Sequence, residues 1–363
     1  MRVSNRMLYS QIVSSLNSST EKMLALNNQL SSGKRITRPG DDPVSMASVL
    51  IYRSEISSFD QSAKSIERTT NFLKRSESVL SSVDEQLTRA VELATQQGTA
   101  TASAATRLGA AEELRQIIET VTGLANAKYG NKYIFGGTNT QTDPFLSVNA
   151  SKLAADVSQV SATAPAVGAS GARYLNTTDN IIYQSDGTSW VSQGAATEGA
   201  AVKNGADGKY YVYSAAGGWQ TQYQGNSDSF GIKISKTDTV EANIPGDAAF
   251  LNSAGNVFET LIELERALRS NNQSAIQAAL PDLEDASVVI NNNLAVIGAR
   301  INRLEYVDTV NDSATVDTKA TKSALEDVDY AEALTDLTNQ ETIYQAALKS
   351  ASLITQMSLA DYI

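Results

Sequence analysis

Residues 9–30 read YSQIVSSLNSSTEKMLALNNQL. Within them Tyr9, Ile12, Leu16, Ser19, Met23, Leu26 and Leu30 are separated by alternating steps of three and four, the spacing that lines one side of a helix and seams it to another helix. Ser19 is the only polar member of that row. Fully burying each of the larger side chains gains about 1.5–3 kcal/mol, whereas fixing the backbone costs about 1–2 kcal/mol per residue. Over the whole stretch the cost exceeds what one row returns, so the helix is expected to be stable only where neighbours also cover its flanks. Those neighbours are expected to be mostly other chains, which makes Tyr9, Ile12, Leu16, Met23, Leu26 and Leu30 an N-terminal assembly seam.

Moving outward, Ser32-Gly33-Lys34-Arg35 and Pro39-Gly40-Asp41-Asp42-Pro43 form a turn, an acidic N-cap and a proline at the first helical position. A long helix is expected from there. Its row runs through Val49, Tyr52, Ile56, Phe59, Ala63, Ile66, Thr70 and Leu73, and after a phase slip near Ser76 through Leu80, Val83, Leu87, Ala90 and Ala94. A third helix carries Ala111, Leu114, Ile118, Val121 and Ala125. Tyr133-Ile134-Phe135-Gly136-Gly137 then reads as a short aromatic strand bounded by turn residues.

From about Leu146 to Phe250 the helical period is lost, and β-prone pieces such as Ile181-Ile182-Tyr183 alternate with Asp-Gly and Gly-Gly turns. Asp186-Gly187 before Trp190 and Asp207-Gly208 before Trp219 hint at two similar β units. Helical spacing returns at Val257, Leu261, Leu264 and Leu268, and after Pro281 at Ile290, Leu294, Ile297, Ile301 and Leu304. The last segment repeats it at Tyr330, Leu334, Leu337, Tyr344, Leu348 and Ala351, with Glu341 in the row. These six apolar positions are the expected C-terminal assembly seam. If nearly continuous from Pro281 to Ile363, this part spans about 120 Å.

The fold class is therefore mostly α: a long antiparallel helical rod or coiled coil built from both chain ends, with an inserted β-rich domain. The expected parts are an inner helix over 1–42, half of a rod over 43–145, the insertion over 146–250, the other rod half over 251–316 and a second inner helix over 317–363. For 49–125 and 254–304 the seams are expected to face an internal core. For 1–38 and 317–363, poor in large apolar side chains and rich in Ser, Gln and Asn, they are expected to face other chains.

Charge supports pairing of the ends. Residues 1–38 carry six basic side chains and one acid, whereas residues 317–363 carry three lysines and eight acids. Antiparallel packing would set Lys34, Arg35 and Arg38 near Glu326, Asp327 and Asp329, each charge also favourable on its own helix dipole. Exposed pairs contribute under about 1 kcal/mol each, so they set register more than stability.

Of the 363 residues only 19% are charged, with a net charge of -11 and a pI near 4.7, which argues against nucleic acid or an anionic membrane as a partner. There is no Cys and no His, so disulfides, thiol nucleophiles, imidazole bases and the common zinc sites are excluded. No signal peptide or membrane span is apparent, so the chain is expected either to stay in the cytoplasm or to leave by a route without a cleaved signal. Ser31 and Lys34 match the S-x-x-K spacing of acyl-enzyme hydrolases, but without companion motifs; Lys236-Thr237 is followed by Asp238, not Gly. Gly33-Lys34 lacks the upstream glycine and following hydroxyl of a phosphate loop. Asp41-Asp42 is read as a helix cap rather than a cation site. Glu326, Asp327, Asp329 and Glu332 are read as a solvated or interchain face, and Tyr133–Phe135 as an anchor for the insertion. No catalytic residue, cofactor or metal is expected.

Taken together, these segments resemble the flagellin superfamily and, within it, the hook-filament junction proteins. The resemblance rests on Met1-Arg2-Val3-Ser4, Gln29 to Ile36, Pro39 to Pro43, Tyr133 to Gly137 with Pro144-Phe145, Gly298 to Glu305, Ala324 to Tyr330 and Met357 to Ile363. It covers about residues 1–145 and 225–363. It implies a non-catalytic protein exported unfolded through the flagellar type III apparatus, with an export chaperone, to the outside of the cell. There it would self-assemble as a short tubular layer between the first hook-associated junction protein and flagellin. The terminal helices would line the tube, the longer helices would form its wall, and the β domain would project outward. A filament-forming flagellin is the alternative, and a binding or enzymatic module within 146–250 a further one.

Overall fold

The computed structural model describes residues 5–148, 156–206, 209–215, 217–235 and 238–360, with the side chains of residues 5, 6, 8, 9 and 353–360 outside the description. The chain is mostly helical with a β-rich centre. Helices α1 (Asn5–Ser32), α2 (Pro43–Gln97) and α3 (Ala104–Ala125) come first, and α5 (Val257–Arg269), α6 (Gln273–Glu326) and α7 (Tyr330–Ala360) come last, with the short α4 at Gly246–Phe250.

The start of α2 follows the expected chemistry. Asp42 Oδ1 accepts from Ser45 N at 3.1 Å just ahead of Pro43, while Asp41 Oδ2 accepts from Thr37 N and Arg38 N and ties the preceding turn. Both carboxyls are held below the usual carboxylate range, Asp41 by the backbone of Arg38 and Thr37 and Asp42 by Ser45.

Two details of the long helices correct the sequence reading. The buried face of α2 passes through Ile66, Thr69, Leu73, Ser76, Leu80, Val83, Leu87, Ala90, Ala94 and Gln97. Ser76 thus sits in the row rather than interrupting it, its hydroxyl donating to Phe72 O at 3.0 Å. Nor does the last long helix begin at Pro281. It begins at Gln273, where Asn272 Oδ1 accepts from Ala275 N at 3.1 Å, and it carries Pro281 inside. Proline removes one helical hydrogen bond and its ring crowds the carbonyl of Gln277, a cost that the fully buried Leu283 and Ala286 on the following turn help to offset. α6 then breaks at residues 327–329 before α7.

The chain divides into two compact units, Met1–Ala63 with Thr309–Ile363, and Lys64–Asp308. The second unit contains α3, α4, α5, all the strands, α2 from Lys64 onward and α6 as far as Asp308. Its core joins Leu80, Leu87, Leu114, Ile118, Leu261, Ile290 and Leu304 from the helices to Phe135, Phe145, Phe250 and Phe258. The four rings pack at centroid distances of 5.0–5.9 Å, so the Tyr133–Phe135 segment does anchor the β-region to the helices.

A two-stranded hairpin, β1 (Lys128–Tyr129) and β2 (Lys132–Tyr133), holds only Tyr133 of the expected aromatic strand, Ile134 to Gly137 being bend and turn. The β-region has a four-stranded sheet of β3 (Gln159–Ser161), β4 (Arg173–Asn176), β5 (Ile181–Ser185) and β6 (Trp190–Ala195), in which only the β3–β4 pair is parallel. A three-stranded antiparallel sheet follows, β7 (Ala201–Lys203), β8 (Tyr210–Ser214) and β9 (Gly218–Thr221). Its own satellite core is small, Val157, Leu175, Val202 and Trp219, while Ala201, Tyr210 and Val212 join the helical core. The insertion is stitched to the helices by Lys203 and Glu259 at 2.5 Å and by Arg303 and Asp238 at 2.5 Å. The two tryptophans are not equivalent. Trp190 follows the Asp186-Gly187 turn directly, whereas Trp219 stands on β9, one strand beyond Asp207-Gly208, which lies outside the described residues.

Candidate assembly surface on the terminal helices

Within the first unit α1 packs antiparallel on α7. Lys34 forms an antiparallel bridge with Asp327, and Gln340 Nε2 donates to Ser19 Oγ at 2.7 Å. Ser19, the polar member of the first row, is thereby buried and satisfied. Ile12, Leu16, Met23, Leu26 and Leu30 share its face and are half-buried; the side chain of Tyr9 lies outside the described residues. This row is covered from within the chain, by α7.

On α7 the inward row is Ala333, Leu337, Gln340, Tyr344, Ala347 and Ala351, again in steps of four and three. It shares Leu337, Tyr344 and Ala351 with the row read from the sequence. Tyr330, Leu334 and Leu348 form a neighbouring stripe that stays open at 59, 59 and 45% exposure, with Glu341 beside them. Three alanines in that row let the two backbones approach, Leu337 and Tyr344 share it, and Tyr330, Leu334 and Leu348 are turned aside.

At 100° per residue, Val13 and Leu24 stand off the α1 row on the same side of the helix pair as Leu334 and Leu348 stand off the α7 row. The register sets Leu24 near Leu334 and Val13 near Leu348. The result is a bare apolar strip crossing both helices. The opposite side is different: a groove of about 470 Å³ lined by Lys22, Leu26, Gln29, Asp336, Gln340 and Ile343.

The charges at the base of the pair come together only in part. Lys34 Nζ lies 2.5 Å from Glu326 Oε1, as expected. Arg35 instead donates to Leu325 O at 2.9 Å and lies 3.8 Å from Asp42. Asp329 caps α7 through Ala331 N at 2.9 Å, and Asp327 accepts from Ser323. Arg38 contributes its backbone to the Asp41 turn. Sequence reasoning missed Arg53 and Lys322, which also reach Glu326. It missed as well that Gly33 takes φ +71°, where a Cβ would stand 2.8 Å from the Tyr330 hydroxyl. Burial pushes the Glu326 carboxyl up, but hydrogen bonds from Lys34 and Arg53 overcome this and hold it below the ordinary value.

In the second unit a cleft of about 820 Å³ is lined by Tyr210, Gln222, Asp247, Glu259, Asp282 and Asp285 among others. Among the described residues no group of three or more carboxylates is placed to hold a metal ion, and no helix is long and apolar enough to cross a membrane.

The pattern of the bacterial flagellin N-terminal helical region matches residues 3–140, and that of the C-terminal helical region matches residues 280–363. The flagellar hook-associated protein 3 of Salmonella typhimurium is 32% identical over 52% of this chain and 61% of its own length. The chain thus spans less than two thirds of that relative. The flagellar filament 41 kDa core protein of Borreliella burgdorferi is 26% identical over 82% of this chain and 86% of its own length. The crystal structure of flagellar hook-associated protein 3 from Legionella pneumophila shares the fold, with a TM-score of 0.52 at 14% identity over 76% of this chain and 98% of that one. With both flagellin helical regions present at its two ends, this chain belongs to the flagellin family.

Proposed function

We propose that this chain is a non-catalytic structural subunit of the bacterial flagellum, forming the tubular junction layer between hook and filament. The observation that carries the reading is the apolar strip left bare on the terminal pair: Val13 and Leu24 on α1, Leu334 and Leu348 on α7. Exposed apolar surface of this kind marks a contact with another chain. Its opposite side is a groove of mixed character, in which Lys22, Gln29 and Asp336 stand beside Ala25, Leu26 and Ile343. Two unlike sides suit heterologous packing, which extends along a lattice instead of closing as a dimer. The rows Ile12 to Leu30 and Leu337, Tyr344 and Ala351 hold the pair together, while Tyr330, Leu334 and Leu348 face neighbouring copies. The first hook-associated junction protein and flagellin are the adjoining layers. An export chaperone and the type III apparatus deliver the chain to the cell exterior. Absence of Cys suits that passage, and ends too thinly apolar to order themselves suit ordering on assembly.

The resemblance to a filament core protein over most of the chain favours a second reading, a filament-forming flagellin. Imaging cells that lack this chain separates the two. Hooks without filaments, with flagellin shed into the medium, are expected. Filaments of normal length would overturn the junction reading, and purified chain growing long filaments by itself would establish the second.

A further inference from the structure

Both connections into the terminal pair break at the same level. α1 stops at Ser32 and α2 starts at Pro43, while α6 stops at Glu326 and α7 starts at Tyr330. The two breaks are laced together by their backbones: Arg35 N donates to Glu326 O at 2.7 Å and Val328 N to Gly33 O at 3.0 Å, flanking the Lys34–Asp327 bridge.

A single side chain sits at the centre of this lacing. Glu326 is 1% exposed, and its Oε1 accepts from both Lys34 Nζ and the Arg53 guanidinium. Lys322 Nζ stands 3.7 Å from Oε2, which has no hydrogen-bond partner. Three cations, from the α1–α2 link, from α2 and from α6 itself, therefore converge on one carboxylate. A buried charge persists only where it is paired, and removing the shared partner would leave cations crowding one another without a counter-charge.

We propose that Glu326 is a latch that joins the two breaks and sets where the ordered lengths of α2 and α6 stop, so that α1 and α7 can order or loosen beyond it without unravelling the long helices. This makes it a positioning residue for assembly: it fixes the point and direction from which the terminal pair leaves. The inference stands on geometry within the terminal unit and does not depend on which flagellar layer the chain enters.

Hydrogen exchange of the full chain as an isolated subunit tests it. Segments 33–36 and 325–328 are expected to be protected, whatever the state of α1 and α7. In Glu326→Gln, segments 33–36, 43–55 and 309–328 should exchange at least about tenfold faster, with 64–308 unchanged. Arg53→Met should act on the same segments with a smaller effect. Adding Arg53→Met to Glu326→Gln should restore part of the protection by removing a cation that has lost its counter-charge. Lys319→Met, an exposed lysine elsewhere on α6, should change nothing. A native chain without protection at 33–36 and 325–328, a Glu326→Gln chain that exchanges like native there, a loss spreading through 64–308, or a double variant worse than either single change would each overturn the latch.

Discussion

Leu114 on α3 is fully buried and Leu24 on α1 is 63% exposed, although each lies in the middle of a regular helix. The contrast holds across the two units. In Lys64–Asp308 the helices, the β-region and four phenylalanine rings share one continuous core. In the unit made from the two chain ends, Ile36, Val49 and Ala333 are the buried apolar residues among those described, while Met7, Leu24, Val44, Leu50, Ile51, Val316, Leu334 and Ile343 stay more than half exposed. Helices of similar regularity are therefore supported by very different amounts of burial. Because net stability is a small difference between burial and chain entropy, the first unit can stand alone only weakly, and the second can.

Amide exchange breaks or sharpens that comparison most directly. In dilute subunit, α1 and α7 are expected to exchange at least about a hundredfold faster than α3 and α5, since local openings range from near zero to the full unfolding free energy. On assembly that gap should close, and limited proteolysis should fall at residues 5–32 and 330–352 before assembly and not after. A lone subunit with rigid, strongly protected ends would remove the physical basis for assembly-driven ordering.

Matched truncations come next in size. Phe258, packed against Phe145 at 5.1 Å and Phe250 at 5.9 Å, should cost about 3–5 kcal/mol as Phe258→Ala. Leu16→Ala removes a half-buried side chain and should cost under about 1 kcal/mol in the isolated subunit. Denaturant unfolding followed by tryptophan fluorescence reads the first cleanly, since Trp190 and Trp219 both lie in the second unit. Equal costs for the two changes would mean that the ends carry a core of their own.

How far these differences could be read beforehand depended on side-chain size. The α2 and α3 rows were legible because large apolar residues, Leu73, Leu80, Leu87 and Leu114, point inward at a fixed period. The α7 row was half legible. Counting apolar residues selects Leu334 and Leu348, whereas close approach to α1 selects Ala333 and Ala347, and the hydrogen bond to Ser19 selects Gln340. Ser76 looked like a break for the same reason, a small polar residue in a buried row. Pairing of the ends through Lys34 and Glu326 could be inferred from net charge and dipoles. The reach of Arg53 to the same carboxylate, across 273 positions, could not. Nor could the meeting of Phe135, Phe145, Phe250 and Phe258, which only the returning chain brings together.

A charge placed on the bare strip should separate assembly from stability. Leu334→Asp alters a side chain that is 59% exposed, so the isolated subunit should change by no more than about 0.5 kcal/mol. The concentration needed for assembly should rise about tenfold, equivalent to about 1.4 kcal/mol per contact. Sedimentation of the assembled fraction against total protein measures it. Unchanged assembly would show that this stripe faces solvent in the finished structure as well.

The smallest effect is a difference in sign under acid. Glu326 has its carboxyl lowered from an ordinary value of 4.5, so its contribution is present above that value and is lost as pH falls through the lower folded one. Glu265, fully buried in the second unit, goes the other way. Burial raises its carboxyl, with the Arg269 hydrogen bond only partly opposing and Glu112 and Arg115 nearby. Its charged form is therefore a penalty above the raised value, relieved as pH falls through it. Glu265→Gln should accordingly be neutral or stabilising at pH 7 by tryptophan-monitored unfolding, with the gap to native closing on acidification. Glu326→Gln should loosen the end segments at pH 7, with that gap also closing below about pH 4.5. Two carboxylates losing their influence in the same direction of pH, one by giving up a stabilising charge and the other by shedding a costly one, would tie the acid response of each unit to its own burial. A Glu265→Gln chain clearly weaker than native at pH 7 would mean that the Arg269 pair outweighs desolvation, and the contrast in sign would fail.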